Sequence, residues 1–329
     1  MTEHAEARHD HPDAGLSAII SERRQLTGLA YRLLGSLADA EDVVQETYAR
    51  WYALSPAQQE AIASPGAWLS KVASRICLDV LGSARARRER YVGEWIPEPV
   101  PEAGHWISGR PGAAPPDPAD RVTLDESVSM AFLVVLESMT PAERVALVLH
   151  DVFRYPFAEI AEITGRTPAA CRELASSARR RIRASGPPAP PAARRAAVVR
   201  GFRQAMEAGD VDALIGLLDP AAVLTADGGG VVKTALRPLE GGELIAHRCV
   251  EIARRVPGVT LLEHTVNGQP GLIAQQHGRT VTVYAFDITD DRITRIWAIR
   301  NPNKLRPWTR DSEAGDHVSA PPLVRRPRI

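Results

Sequence analysis

Two proline-rich stretches constrain this 329-residue chain more than any other feature. One runs from Ile96 to Asp120 and contains PEPVPEAG and RPGAAPPDPAD; the other, Ser185 to Pro191, reads SGPPAPP. Proline has no backbone donor and disfavours helix in the residue before it. Both stretches therefore read as linkers, partly extended. They separate segments 16–95, 121–184 and 192–306, with a tail over 307–329. The length suits two or three bodies at about 100–200 residues each.

Composition narrows the function classes. The 40 basic and 40 acidic side chains cancel, so any attraction to nucleic acid must come from local patches. Cys77, Cys171 and Cys249 are odd in number, far apart and in no metal-like pair. They read as small buried thiols, with no metal and no cofactor expected. No apolar run approaches the ~20 residues of a membrane span, and the first residues are polar and acidic. The chain is expected in the cytosol, without a membrane partner.

The first segment reads as all helix. Ala40, Val43, Val44, Thr47, Tyr48 and Trp51 recur on one helical face, with Asp39 placed to cap the start. Another helix opens at Ser64-Pro65. Its stripe is Leu69, Val72, Ala73, Ile76, Cys77 and Val80, and it turns basic at Arg85, Arg87, Arg88 and Arg90.

The middle segment is also helical. Thr140-Pro141-Ala142-Glu143 is a capping box. A short helix with Ile160 and Ile163 ends at Gly165. Thr167-Pro168 opens the next, with Cys171, Leu174, Ala175, Ala178 and Ile182 on its apolar face. Arg172, Glu173, Ser176, Arg179 and Arg180 lie on other faces. A short helix, a glycine turn and an arginine-rich helix is helix-turn-helix arithmetic. An arginine fork can bond guanine or phosphate in two places. A surface helix with solvated arginines would read the same way.

The last segment changes character. Two short helices meet at Gly209-Asp210, and a further helix covers Gly241 to Arg255. Strand-like runs are AAVLTA, VVKTAL, VTLLEHTV, GLIAQQH, TVTVYAFDI and RITRIWAI, punctuated by Asn267-Gly268, His277-Gly278 and Asp290-Asp291. Helices followed by a mostly antiparallel sheet indicate an α+β domain.

AYRLLGSLADAEDVVQETYARW resembles region 2.2 of the sigma-70 superfamily, and WLSKVASRICLDVLGSARARRERY resembles regions 2.3 and 2.4. SMTPAERVALVLHDVFRYPFAEIAEITGRTPAACRELASSARRRIR resembles region 4. In this order they resemble an extracytoplasmic-function sigma factor. That implies two all-α sigma domains, a region 2 helical bundle and a region 4 helix-turn-helix. Its implied partners are core RNA polymerase and promoter DNA. By resemblance, Asp39, Asp42, Gln45 and Glu46 dock core polymerase; a solvated acidic face is the plainer reading of those residues. Trp68, Lys71, Arg75, Asp79 and Arg85 lie near the promoter strand to be opened, where a basic groove favours single strands. Trp68 could equally be core. Thr167, Arg172, Glu173, Ser176, Arg179 and Arg180 face the upstream promoter element.

YVGEWIPEP, DGGG and NPNKL resemble signatures of a subgroup with a C-terminal SnoaL-like domain, a cone-shaped α+β fold. Ile96 and Asn303 stand where that pattern has leucine and aspartate. The resemblance implies regulatory contacts through Trp95, Pro97, Asp227, Gly228, Gly229, Gly230, Asn301, Pro302, Lys304 and Leu305. The domain is expected to pack against both sigma modules and set their separation. Asp227, His264, Tyr284, Asp287 and Trp297 could line a cavity, and a small-molecule ligand there is an open reading. Spacing places no catalytic pair, and fold does not imply function. The alternatives are a helix-turn-helix regulator with a ligand-binding domain, and a SnoaL-like isomerase or cyclase fused to a DNA-binding module.

Overall fold

The computed structural model describes residues 12–88, 91–101, 127–185 and 190–309, except the side chains of 12–21 and 84–88. These residues form two compact units. The first takes the chain to 88, then 127–128 and 132–185; the second takes 91–101, 129–131 and 190–309.

The first unit opens with α1 (Pro12–Leu34), α2 (Leu37–Tyr52), α3 (Pro56–Glu60) and α4 (Pro65–Arg88). The α2 stripe buries Ala40, Val43, Val44 and Thr47. Its cap is not Asp39. The helix begins two residues earlier, and the Ser36 hydroxyl accepts the Asp39 N–H at 3.2 Å. Asp39 sits instead in the first turn, where the helix dipole favours a carboxylate. The short α3 was not anticipated; a Ser55–Gln58 capping box starts it. In α4, Leu69, Ala73, Ile76, Cys77 and Leu81 are buried.

The middle segment supplies α5 (Met130–Glu137), α6 (Pro141–Leu147, continuing as a π-turn over Val148–Val152), α7 (Phe157–Thr164) and α8 (Pro168–Ala184). The Thr140–Glu143 capping box is present. Gly165 ends α7 in the left-handed region at φ 67°, where glycine carries no Cβ penalty. Thr167 caps α8, which buries Cys171, Ala175 and Ala178.

The helices of the first and middle segments pack directly on one another. The buried Arg144 guanidinium on α6 donates to the Leu33 carbonyl at the end of α1 at 2.8 Å, and to Glu137 at 2.9 Å. Burial pulls its pKa down to about 10. The long connection had suggested two separately tethered helical bodies. Their contact is made by side chains far apart in sequence.

The second unit has α9 (Ala192–Ala208), α10 (Val211–Leu217), β1 (Leu218–Asp227), β2 (Leu239–Glu240), α11 (Gly242–Arg255), β3 (Val259–Val266), β4 (Gln269–Gln276), β5 (Arg279–Thr289) and β6 (Arg292–Ile299). The strand order is β2-β1-β6-β5-β4-β3, antiparallel except for β1 beside β6. Register shifts in β1–β6, β4–β5 and β5–β6 bend the strands. Phe202, Leu214 and Ile245 from the helices pack against Leu272, Phe286 and Ile296 of the sheet. This is the α+β architecture expected for the last segment.

Three expectations need correction. VVKTAL is not a strand: residues after Gly228 turn back on themselves, Val231 is exposed, and pairing resumes only at Leu239–Glu240. Ile96–Val100, read as the start of a linker, is buried throughout. The domain does not stop at 306, because a 3-10 turn over Arg306–Trp308 buries the Trp308 indole. The remaining linker over 102–120, the start of the middle segment and the tail beyond 309 lie outside the described residues.

Candidate functional sites

On α2 the acidic face stands as the apolar stripe dictates. Asp42, Gln45 and Glu46 are exposed beside buried Val43 and Val44, and Glu46 pairs with Arg50 at 2.9 Å. Asp39 is half-buried. On α4, Trp68 is half-buried, its ring edge-on to Trp51 at 5.3 Å. It therefore belongs to the packing while keeping an open side. Asp79 is exposed; the Arg85 side chain lies outside the described residues.

Lys71 and Arg75 are engaged by the middle segment. The Lys71 ammonium pairs with Glu162 on α7, and Arg75 donates to the Glu162 carbonyl at 2.8 Å. Lys71 draws the Glu162 carboxyl below its ordinary range, first by hydrogen bonding and then by charge. Sequence reasoning missed Glu162, which looks like any solvated acid on a short helix.

The helix-turn-helix arginines divide. Arg179 is forked on Asp151, at 2.7 and 2.6 Å, and is committed inside the module. Burial pushes the Asp151 carboxyl up, but hydrogen bonds from Arg179 and His150 outweigh it and hold the pKa low. Arg172, Glu173 and Arg180 are exposed, and Ser176 is half-buried. Arg172 lies 5.5 Å from the Phe157 ring centre, which leans it over α7.

The C-terminal unit assembles most of the residues predicted for it. Asp227 ends β1 fully buried. One carboxylate oxygen accepts from the Tyr91 hydroxyl at 2.6 Å and the Gly229 N–H at 2.9 Å. The other accepts from Lys304 Nζ at 2.6 Å and the Ile96 N–H at 3.4 Å. Lys304 also donates to the Ile96 carbonyl, and its ammonium lies 4.3 Å from the Trp95 ring centre. Asn301 donates to the Tyr91 hydroxyl at 2.7 Å. The Tyr91 phenol is pushed up, first by burial and then by Asp227.

The glycines make room for this knot. A Cβ on Gly228 would lie 2.0 Å from the Val232 carbonyl oxygen, and one on Gly229 would lie 2.4 Å from the Asn301 amide. Gly230 faces Val92. Pro97 and Leu305 are buried, whereas Pro302 is exposed and outside the contact. Tyr91 and Trp308 are not among the contact residues the sequence points to, and Asn267 reads there only as a turn residue. Trp308 Nε1 donates to the Pro99 carbonyl at 2.9 Å, and Asn267 exchanges two hydrogen bonds with the Val100 backbone. The first of these, Tyr91, opens the YVGEWIPEP run and could have been found there.

The five residues considered for a catalytic cavity do not converge. Tyr284 lines a cavity with Cys249 and Thr282. Asp227 is in the knot, His264 stacks edge-on against Trp308 at 5.2 Å, and Trp297 is buried at 3% exposure. Asp287 is half-buried, its carboxyl raised by burial, and does not line the cavity. All three cysteines are buried and free. Among the described residues no group of three or more His, Cys, Asp or Glu could hold a metal, and no helix is long and apolar enough to cross a membrane.

Comparison with known proteins falls on these bodies. Sigma-70 region 2 matches residues 19–88 and Sigma-70, region 4 matches residues 129–182. The chain is 38% identical over 298 residues to the ECF RNA polymerase sigma factor SigJ of Mycobacterium tuberculosis, spanning 86% of this chain and 90% of the relative. It is 37% identical over 305 residues to the probable ECF RNA polymerase sigma factor SigI of that organism, spanning 92% and 97%. The crystal structure of the M. tuberculosis extracytoplasmic function sigma factor SigJ aligns with a TM-score of 0.68 at 34% identity, covering 89% of this chain and 98% of that one. Helices α1–α4 are thus region 2, α5–α8 are region 4, and the chain belongs to the extracytoplasmic-function RNA polymerase sigma factors, with an α+β domain at its C-terminus.

Proposed function

We propose that this sigma factor is regulated by its own C-terminal domain, which acts by gripping the linker rather than by catalysis. The observation that carries this is the Asp227–Lys304 pair closed over Tyr91 and the Ile96 backbone. A segment gripped at 91–100 cannot serve as free chain between region 2 and region 4. In this reading the domain sets how far the two promoter-reading modules can separate.

The sites divide accordingly. Asp39, Asp42, Gln45 and Glu46 form the docking face for core polymerase. Trp68, Lys71, Arg75, Asp79 and Arg85 serve the downstream element and melting. Thr167, Arg172, Glu173, Ser176 and Arg180 serve the upstream element, with Arg179 positioning the module through Asp151. The Lys71–Glu162 pair supports a closed form in which melting residues are occupied by region 4. The protein works in the cytoplasm, where polymerase is, and the C-terminal cavity takes a small-molecule ligand.

The test is run-off transcription with core polymerase at equal concentrations of three proteins: the full chain, Lys304→Met, and a chain ending after Pro191. The full deletion lowers activity if the domain holds the readers at promoter spacing, and Lys304→Met acts differently because it releases the linker while the domain stays in the chain. Identical activity from all three overturns the regulatory role. Loss of initiation only on omitting the sigma factor is the control.

A further inference from the structure

The C-terminal sheet, α9 and α11 line an open-mouthed cavity of about 440 Å³. That size lies within the range of small-molecule sites. Protein interiors are close-packed, and voids much larger than a water are few. Here the space is held open by alanines where larger aliphatics would fill it: Ala226 on β1, Ala274 on β4 and Ala298 on β6. Tyr284 lines the same wall. Burial, then proximity to Cys249, pushes its phenol up to about 12, so it stays protonated at neutral pH.

The rim has the opposite character. Lys233, Arg248, Arg255 and Arg300 contribute to the lining, and among the described residues no carboxylate does. Arg248 and Arg255 share Glu251, which answers part of their charge. Arg300 donates to the Lys233 carbonyl at 3.2 Å, holding two cationic residues at one place on the rim. Lys233 is exposed, with no acidic partner among the described residues. An apolar interior beneath a cationic rim has a complementary ligand class.

We infer that this cavity binds a small amphipathic anion, an apolar body ending in a carboxylate, with its head group at Lys233 and Arg300. The inference rests on the reading that the cavity is a ligand site and names the class it selects. An alkylammonium is repelled by the rim, and an uncharged alcohol gains only the burial of its chain. The placement has a structural consequence. Lys233 lies on the loop after β1, whose glycines accommodate Asn301 and Val92. The head group therefore sits on the loop that lies against Val92 in the gripped segment.

The test uses the full chain and isothermal titration with decanoate, decan-1-ol and decyltrimethylammonium, each below its aggregation threshold. Decanoate binds once per chain, the alcohol at least about ten-fold more weakly, and the ammonium not at all. Lys233→Glu, a surface change, weakens decanoate about ten-fold and leaves the alcohol unchanged. Ala274→Leu fills the space and abolishes decanoate binding, with thermal unfolding as the check that it folds. Equal affinity for decanoate and decanol overturns the anionic class but leaves a ligand cavity. Decanoate binding that is unchanged by either variant overturns the site. Absence of binding by all three probes overturns the cavity reading as well.

Discussion

Asp227 and Lys304 form a buried ion pair at 2.6 Å, and both partners bond the backbone of Ile96. Removing one member of such a pair strands the other charge, at a cost of about 3–5 kcal/mol. Asp227→Ala therefore destabilises this unit by about that much and releases the linker. Asp227→Asn, which keeps an acceptor for Tyr91, costs less. Amide hydrogen exchange over 91–100 reads the release directly. Slow exchange preserved in Asp227→Ala would contradict the grip.

Glu162 holds two groups assigned to the promoter, Lys71 through its carboxylate and Arg75 through its carbonyl. Glu162→Gln removes the ion pair without changing shape. Exposed pairs are individually weak, so the expected effect is a modest rise in promoter-DNA affinity, within about five-fold. Glu162→Ala should behave alike, because the Arg75 contact is to backbone. A fall in affinity in both variants would mean that Glu162 supports the active form instead.

Much of this was readable from short-range pattern. The α2 stripe, the Thr140 capping box, the Gly165 stop and the Asn267-Gly268 turn each depend on residues within a few positions of one another. Packing of region 4 on region 2 was not readable, because Arg144–Leu33 and Lys71–Glu162 leave no local period. The proline-rich run misled for a physical reason. Closely spaced prolines prevent a helix from propagating, but they do not exclude burial when Asn267, Lys304 and Trp308 satisfy the extended backbone. VVKTAL had strand composition, yet three glycines before it reversed the chain. In the knot, the signature segments led to Asp227 and Lys304 but not to Trp308, which lay in the supposed tail.

Asp42 is exposed next to buried Val43 and Val44, so its side chain can change without disturbing the core. Asp42→Arg reverses charge on the proposed polymerase-docking face and alters stability by no more than about 0.5 kcal/mol. It abolishes pull-down of core polymerase while circular dichroism and melting stay at wild-type values. A folded Asp42→Arg protein that still captures polymerase would remove that face from the docking surface.

Arg172 and Arg179 lie two turns apart on α8 and carry the same charge, but their surroundings assign them different work. Arg172 is exposed beside Phe157, free to meet DNA; a bidentate base contact contributes about 1–3 kcal/mol of discrimination. Arg172→Ala lowers transcription from the native promoter and relaxes the preference at one base position, or lowers the salt slope if the contact is to phosphate. Arg179 spends its fork on Asp151. Arg179→Ala therefore destabilises region 4 by about 1.5 kcal/mol, the contribution of hydrogen bonds to a charged group that is partly solvated, and lowers its melting temperature accordingly. The pH dependence separates the two further. Asp151 has a folded-state pKa below the ordinary aspartate value of about 3.9, so the folded state binds fewer protons than the unfolded chain in that window. Its contribution is fully present at neutral pH and is lost as pH falls below about 4 through the folded value. Wild type should lose this increment of stability on acidification, and Asp151→Asn, with no carboxylate to protonate, should not. Melting curves at pH 7 and pH 3 for wild type, Arg172→Ala, Arg179→Ala and Asp151→Asn test the assignment. If Arg172→Ala destabilises as much as Arg179→Ala while promoter choice is unchanged, α8 is holding the module together and does not read the upstream element through Arg172.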